Sequence, residues 1–383
     1  MACKDGLPVL FPAPAHTKAK HRLYRRYIEA WAPILLQGGY PRVRIVDGFA
    51  GPGRYSTGDD GSPLVAIKAV LEHTLMPSIL RSGGRIRFDF IEECADRLAH
   101  LEQELAAISC PPGIEWHSRG GRFDDVFAEV LDKLDDSGEK LEPALVFIDP
   151  FGPTGFPMSV VGRVAAYPAC EVLINFAWQP LNQWWLSDPS KHAVVDKLFG
   201  AGSDWAKGLA IADPVEREEF FIREYQASLM RQGWNGVSFR LVNAHNQTQY
   251  YLVYGTKSAV GMRVFKDAVW SVGAQDGRFQ FSDMHNAGQL TFFQEMEEEA
   301  VVRDLAELIF SSHIGNSVPF AAVQETADFH PISRSSHLRK ALAELKTAGE
   351  ITAVRNADGA PPRAGSWPEH CQITFAPAKT RML

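Results

Sequence analysis

The chain of 383 residues is long enough for two domains, or for one large domain with an appendage, and its 45% hydrophobic content supports a sizeable core. A net charge of −7 argues against a protein that coats nucleic acid indiscriminately. No run approaches the roughly 18 to 20 apolar residues that cross a bilayer, and residues 1–6 lack a secretory apolar core, so we expect a cytoplasmic protein.

The cysteines are spaced too widely to suggest a local framework. There are five of them, without a Cys-x-x-Cys pair, so the sequence indicates neither a disulfide network nor a zinc site. We therefore expect buried or unreactive thiols and no bound metal. The five residues are Cys3, Cys94, Cys110, Cys170 and Cys371.

Residues 1–42 are predicted to form a basic N-terminal segment with a helix over Leu23–Leu36. Residues 1–54 carry nine Lys and Arg against three acidic residues. Such a run is either a solvated helix surface or a footprint for nucleic acid, and both interpretations stay open. The residues that we single out for nucleic-acid contact are Lys18, Arg22 and Arg25.

An apolar run at residues 43–46 leads into the glycine-rich residues 47–53, which predicts a buried strand followed by a tight turn. Glycines let backbone amides approach a ligand closely, although an ordinary strand-to-helix turn has the same composition. The leading acid and the glycine spacing differ from the G-x-G-x-x-G of nicotinamide enzymes, which favours S-adenosylmethionine over a dinucleotide. The cofactor candidates here are Asp47, Gly48, Phe49, Gly51 and Gly53.

Further apolar runs alternate with helical patterns, as in a doubly wound α/β sheet. Ser62 is expected to cap the first of these helices. Ligands of such sheets bind beyond the carboxyl ends of the strands. The predicted elements are helix 63–73, strand 86–92, helix 95–108, strand 114–117, helix 123–134, strand 144–148, helix 153–164 and strand 171–175.

Two side chains after the second and third strands are further cofactor candidates. Glu92 ends the second strand, where a carboxylate can accept both ribose hydroxyls of an adenosyl group. The alternative is a solvent-facing acid at a helix start. Phe123 follows the third strand and either stacks on the adenine or fills the core.

Beyond the fifth strand, residues 178–213 look like a helical insertion rich in tryptophan, which either caps the substrate site or anchors a small helical core. A helix over 215–232 follows, and then two alternating strands, 236–242 and 250–254, form a predicted antiparallel hairpin. Five parallel strands closed by such a hairpin resemble the class I S-adenosylmethionine methyltransferase fold, to which we assign residues 43–275.

The fourth strand ends in Asp149, Pro150, Phe151 and Gly152. This segment resembles the Asp-Pro-Pro-Tyr type motif of amino-methyltransferases, without its second proline. The resemblance implies that Asp149 orients an amine, that Pro150 aims its carbonyl and that Phe151 stacks on the base. The alternative for Asp149 is a cap of the following helix.

The N-terminal residues add a second resemblance. Lys20 and His21, placed before the glycine turn, are similar to a Lys-His pair of bacterial large-subunit ribosomal RNA adenine methyltransferases, which implies that Lys20 approaches the active site. Over residues 14–380 the chain resembles the three-Cys-motif partner protein family, which implies a methyltransferase-like protein that works beside a separate cysteine-motif protein. The matching segments are 47–53, 61–63, 90–92, 149–152, 173–176, 261–262 and 266–270.

Residues 295–383 are predicted to form a winged-helix domain, because three helical patterns are followed by the strands 351–354 and 372–375. Its third helix, over 333–348, would serve as the recognition helix. Docking to protein is the alternative, and the acidic residues 295–299 fit it. The residues that we expect to contact nucleic acid are Arg334, Arg339 and Lys340.

Two functions therefore compete. The first is S-adenosylmethionine-dependent methylation of an exocyclic, adenine-like amine on RNA or DNA. The second is a noncatalytic partner or DNA-binding regulator that uses the methyltransferase fold as a scaffold. A nicotinamide oxidoreductase is disfavoured by the glycine spacing.

Overall fold

The computed structural model describes residues 3, 6, 8–13, 15–242, 247–272, 278–280, 287–330, 332–363 and 365–377. The chain divides into two compact units, the first formed by Met1–Ser258 with Arg278–Asp283 and the second by Ala259–Gly277 with Met284–Leu383. In the described residues, no helix has both the length and the apolar character that a membrane crossing requires.

The first unit is built on a sheet whose strands run in the order β3-β2-β1-β4-β5-β7-β6-β8. Its first five strands are parallel, β7 pairs antiparallel with β5, and β6 and β7 form a hairpin. This order confirms the predicted class I methyltransferase-like fold. The strands are β1 (Arg42–Asp47), β2 (Arg85–Glu92), β3 (Ile114–Gly120), β4 (Ala144–Ile148), β5 (Glu171–Phe176), β6 (Asn235–Val242), β7 (Thr248–Thr256) and β8 (Arg278–Gln280).

Helices follow the strands in the alternating pattern that the sequence predicts. They are α1 (Ala15–Gln37), α2 (Ser62–Leu71), α3 (Met76–Arg81), α4 (Ala95–Ala106), α5 (Phe123–Ser137), α6 (Met158–Ala165), α7 (Trp178–Pro180), α8 (His192–Phe199) and α9 (Pro214–Arg231). Short helical turns complete the insertion after β5. Trp178 and Trp205 of this insertion are buried against phenylalanines, so they anchor a helical core.

Helix α1 packs on the sheet through aromatic and polar contacts. The Tyr24 ring stacks on Phe147 with centroids 4.4 Å apart. The buried Tyr27 hydroxyl donates a 2.5 Å hydrogen bond to Glu171 and lies 2.6 Å from the Tyr254 hydroxyl. The helix begins eight residues earlier than the predicted Leu23, and these additional turns carry Lys20 to the carboxyl end of β4, where it pairs with Asp149.

Two predicted helix starts are wrong, and both lie beside the candidate site. Helix α6 begins at Met158 after Pro157, so residues 149–157 form a loop and Asp149 caps no helix. Gly61 occupies the N-cap position of α2 and makes no side-chain cap. The Ser62 side chain instead faces Asp47 and lowers the pKa of that carboxyl. The preference of a residue for a helix cap is a local property of the sequence. Asp149 and Ser62 instead face side chains that are distant in sequence.

The expectation of unpaired cysteines is also wrong for one pair. Cys3 and Cys94, 91 residues apart in sequence, form a disulfide. Spacing alone could not show this pair, because the N-terminal segment returns to the loop after β2 only in the folded chain. Cys110, Cys170 and Cys371 are free thiols, and the last two are buried.

The second unit combines four helices with a small antiparallel sheet of order β10-β11-β9. The predicted helix, helix, helix, strand, strand order is present, with the short strand β9 added after the first of these helices. Its elements are α10 (Ala259–Ser271), α11 (Ala287–His313), β9 (Ser317–Pro319), α12 (Phe320–Asp328), α13 (Ser335–Thr347), β10 (Ile351–Arg355) and β11 (Gln372–Phe375). Apolar residues of α11, α12, α13 and the sheet form its core.

Lys266 of α10 holds the end of α12. Its ammonium donates to the backbone carbonyls of Ala327, Asp328 and His330 at 2.7 to 3.1 Å, and burial lowers its pKa to about 8. We expect Lys266→Met to leave these carbonyls without a donor and to lower the free energy of unfolding by about 2–4 kcal/mol. Thermal and urea unfolding measure the loss. Lys340→Met, on the surface, is the matched control and should change it by less than about 1 kcal/mol. Equal losses would contradict the capping role.

Candidate active site

A cavity of about 150 Å³ lies at the carboxyl ends of β1, β4 and β5, the edge at which the sequence predicts a ligand. It brings together the glycine turn after β1, the segment after β4 and the first turns of α1. Its walls are formed by Phe11, Thr17, Lys20, Phe49–Tyr55, Gly61, Ser62, Asp149–Phe151, Asn175 and Tyr250.

Glycine is needed at positions 51 and 53 of the turn for different structural reasons. Both adopt left-handed backbone conformations, with φ of +63° at Gly51 and +79° at Gly53. A side chain at Gly51 would meet no atom within 4 Å, whereas one at Gly53 would lie 2.9 Å from the Leu101 side chain. Gly51 therefore keeps space open at the cavity wall. Gly53 allows close packing against α4.

Asp47 supports the glycine turn after β1 from its buried side. Its carboxylate is fully buried, accepts a 3.1 Å hydrogen bond from the Phe49 N–H, and does not line the cavity. Burial, reinforced by the charges of Asp149 and Glu92, raises its pKa to about 7, although the Ser62 hydroxyl and the Phe49 N–H lower it. Asp47 thus holds the backbone of the turn, and its direct contact with a cofactor stays a prediction.

The raised pKa of Asp47 predicts a stability change with pH. Between pH 4 and about 7 the folded state binds more protons at Asp47 than the unfolded state, so the contribution of Asp47 to the free energy of unfolding should fall as pH rises and level off above 7. Asp47→Asn should remove this contribution, which changes the free energy of unfolding by roughly 1–4 kcal/mol over this pH range. Urea unfolding from pH 5 to pH 8 measures it. The exposed helix cap Asp213 supplies the control Asp213→Asn, which should retain the contribution of Asp47.

Glu92 also bonds to backbone at this edge. One of its oxygens accepts from the Gly51 N–H and the other from the Cys94 N–H, each at 2.8 Å. The carboxylate is buried rather than solvent-facing, so the helix-start alternative is wrong. Glu92 thus fixes the glycine turn without lining the cavity, and its contact with ligand hydroxyls stays a prediction.

Phe123 belongs to the core. Its ring is 2% exposed, stacks on Phe127 and does not line the cavity, which resolves the open choice between stacking and core packing. The same ring explains Gly48, because a side chain there would lie 2.5 Å from Phe123. Gly48 is thus required by packing and not by a ligand. Three of the cofactor candidates, Phe49, Gly51 and Gly53, line the cavity.

Asp149 is the centre of a charged cluster. The Lys20 ammonium donates to both oxygens of its carboxylate at 2.8 Å, and the Asn175 amide donates to one of them at 2.7 Å. Lys20 is buried, and its ammonium lies 5.4 Å from the centroid of the Tyr250 ring. The resemblance-based placement of Lys20 at the site thus agrees with the geometry, whereas Asn175 and Tyr250 were missed because each is fixed by sheet pairing.

His21, the neighbour of Lys20, is uncharged near neutral pH. Burial, followed by the Lys20 charge, lowers its pKa to about 4. Its ring lies 6.1 Å from that of Tyr55, centroid to centroid. His21 therefore adds no positive charge beside Asp149.

Aromatic side chains surround the mouth of the cavity. Phe151 is 61% exposed, so its ring is available to a ligand, and Gly152 follows it with open space around its α-carbon. Phe11 meets Phe151 edge-on, and the Arg97 guanidinium lies within 6 Å of both rings. Phe11 was missed by sequence reasoning because the N-terminal segment carries no periodic pattern.

The residues predicted to contact nucleic acid are largely paired with acids. Lys18 bonds to Asp59 at 3.0 Å, and Arg25 bonds to Glu29 and Glu72. In the second unit, Arg334 and Lys340 both approach Glu298. Arg22 and Arg339 are exposed. The surface charge of both regions is thus partly neutralised, and nucleic-acid contact stays a prediction.

No protein-family model matches the sequence, and no curated protein is significantly similar to it. Among solved structures, an O-methyltransferase from Bacillus cereus in complex with SAH is 10% identical, with a TM-score of 0.33 over 66% of this chain and 86% of that one. MnmC2 from Aquifex aeolicus is 12% identical, with a TM-score of 0.30 over 68% and 70%.

A proposed methyltransferase from Porphyromonas gingivalis W83 is 10% identical, with a TM-score of 0.25 over 56% of this chain. The matched region spans 36% of that structure's own length. Because all three scores are low, the fold assignment depends on the strand order of the sheet.

Proposed function

We propose that the protein is an S-adenosylmethionine-dependent methyltransferase that acts on an exocyclic, adenine-like amine of nucleic acid. One observation carries the proposal. The Asp149 carboxylate, oriented by Lys20 and Asn175, shares a cavity with the open glycine turn at Gly51. A class I methyltransferase-like sheet places both at its ligand-binding edge.

The donor side of the cavity is formed by the turn after β1. S-adenosylmethionine supplies a methyl group already activated on a sulfonium. Gly51 leaves room for it and Glu92 offers acceptor oxygens for its ribose hydroxyls, while Asp47 holds the turn from below.

The acceptor side is formed by the segment after β4. Asp149 accepts a hydrogen bond from the amine and so directs the nitrogen lone pair, and the exposed Phe151 ring stacks on the base. Pro150 shapes the backbone between them. Alignment of the two reactants supplies much of the rate acceleration, because the methyl group needs no further activation.

Three further parts belong to the proposal. They are a separate three-Cys-motif partner protein, which the family resemblance implies, a cytoplasmic location, and a winged-helix role for the second unit. The helix, helix, helix, strand, strand order of that unit supports the last of these.

The direct test is incubation of the purified protein with methyl-labelled S-adenosylmethionine and total cell RNA or DNA. We expect label in nucleic acid, and nuclease digestion followed by mass spectrometry should find it on an exocyclic amine. Label on a ribose or protein hydroxyl would contradict the amine, and absence of both cofactor binding and transfer would contradict the activity.

A second candidate, a noncatalytic duplex-binding regulator, is favoured by one feature. Helix α13 exposes Ser335, Ser336, Arg339 and Lys340 along its first turns, as a recognition helix would. Duplex binding that does not change with S-adenosylmethionine, in a protein without transfer activity, would support this candidate.

A further inference from the structure

The hydrogen bonds of Asp149 leave limited room for a ligand. Each carboxylate oxygen can accept about two hydrogen bonds. Oδ1 already accepts from Lys20 and from Asn175, while Oδ2 accepts from Lys20 alone within the described residues. With both partners in place, Asp149 therefore offers one further acceptor position, on Oδ2, to a molecule in the cavity.

The same contacts offset the charge of the carboxylate for a group that approaches it within the cavity. Lys20 lies 2.8 Å from both oxygens with its side chain 5% exposed, so the pair is shielded from water and from salt. Arg54, another cation of the cavity wall, is paired with Asp60 and Glu104. Among the described residues that line the cavity, Asp149 is the one carboxylate, and it lies beside the buried positive end of Lys20, whereas Asp47 and Glu92 do not line the cavity.

We propose that the cluster of Lys20, Asp149 and Asn175 is a charge filter, which admits an uncharged amine and rejects a protonated alkyl amine such as a lysine side chain or a polyamine. This inference rests on the proposed function and narrows its substrate class. A cation entering the cavity would lie near the Lys20 ammonium, and the one carboxylate of the lining is already paired with Lys20, whereas an uncharged –NH₂ needs only the open position on Oδ2.

The transfer step balances for the uncharged nitrogen. Its lone pair forms the new N–CH₃ bond, the S–CH₃ bond breaks with its electron pair staying on sulfur, and the nitrogen then releases one proton to the open oxygen of Asp149. A protonated alkyl amine has no lone pair to donate. The Asp149 carboxylate, bonded to Lys20, is too weak a base to deprotonate an alkylammonium, whereas the newly methylated nitrogen of a base-type amine is a much stronger acid and releases its proton readily.

Binding measurements separate this inference from catalysis. In saturating S-adenosylhomocysteine at pH 7.5, calorimetry compares three probes: aniline, which is uncharged, benzylamine, which is protonated, and benzyl alcohol, which matches benzylamine in length without its charge. We expect wild type to bind aniline and benzyl alcohol at least about tenfold more tightly than benzylamine. Equal or tighter binding of benzylamine would overturn the filter.

Two variants test the assignment to Lys20. Lys20→Gln keeps a hydrogen-bond donor and removes the charge, so it should bind benzylamine at least about tenfold more tightly than wild type does. Lys20→Arg keeps the charge and should retain the wild-type order. If a Lys20→Gln protein that is folded by its melting temperature kept the wild-type order of affinities for the three probes, the role of Lys20 in the charge filter would be refuted. If Lys20→Gln does not fold, the affinities of the wild-type protein for the three probes still test the charge filter. Labelled transfer to nucleic acid tests the proposed function separately, since the probe order can hold without it.

Discussion

Asp149→Ala is expected to lower the rate of methyl transfer by about 100-fold or more while changing the affinity for S-adenosylmethionine by less than about threefold. The carboxylate orients the acceptor nitrogen, and its loss leaves the amine without a fixed direction. The glycine turn that would hold the cofactor has its own supports in Asp47 and Glu92, which the substitution leaves intact. Calorimetry gives the affinity, and single-turnover transfer of labelled methyl gives the rate.

Asp149→Asn is the matched variant for this experiment. It keeps an acceptor oxygen for the amine but removes the charge that pairs with Lys20, so we expect a rate between those of wild type and the alanine variant. Both substitutions leave the Lys20 ammonium without its charged partner. The melting temperatures of the two variants show whether this loss destabilises the fold. Loss of cofactor affinity in parallel with rate would show that Asp149 acts on the donor side.

The sheet could be predicted because its strands are marked by their own composition. β4 is a continuous apolar run and β5 is apolar at four of its six positions, and every residue of both is buried in the structure, as expected for parallel strands covered on two faces. Their carboxyl ends carry Asp149 and Asn175. Since parallel strands end at one edge, the approximate position of the site also followed from the sequence.

The details of the site could not be predicted in the same way. Phe123 and Gly48 have the residue types of a cofactor pocket, yet they are fixed by contact with each other in the core. Glu171 and Tyr27, 144 residues apart, meet only after α1 packs on β5. Such pairs depend on tertiary contacts, and local propensity contains no signal for them.

Gly51→Asp is expected to abolish binding of S-adenosylmethionine. The backbone at Gly51 is left-handed, with φ of +63°, which costs a residue with a side chain about 1–2 kcal/mol. The new carboxylate would also project into the cavity, next to Glu92, whose oxygen lies 2.8 Å from the Gly51 N–H. Occupied space and like charge act together at the position where the cofactor needs room. Calorimetry should then detect no binding at cofactor concentrations that saturate wild type.

Gly58→Asp separates conformational strain from the loss of the site. Gly58 is also left-handed, with φ of +84°, and a side chain there would likewise meet no atom within 4 Å, but it is exposed and does not line the cavity. Both variants should therefore lose similar stability, and only Gly51→Asp should lose the cofactor. If Gly58→Asp reduced affinity equally, the effect would come from the strained loop. If Gly51→Asp bound S-adenosylmethionine with wild-type affinity, the cofactor would not lie against this turn. The reason is that a carboxylate at position 51 would occupy the space that the glycine leaves open.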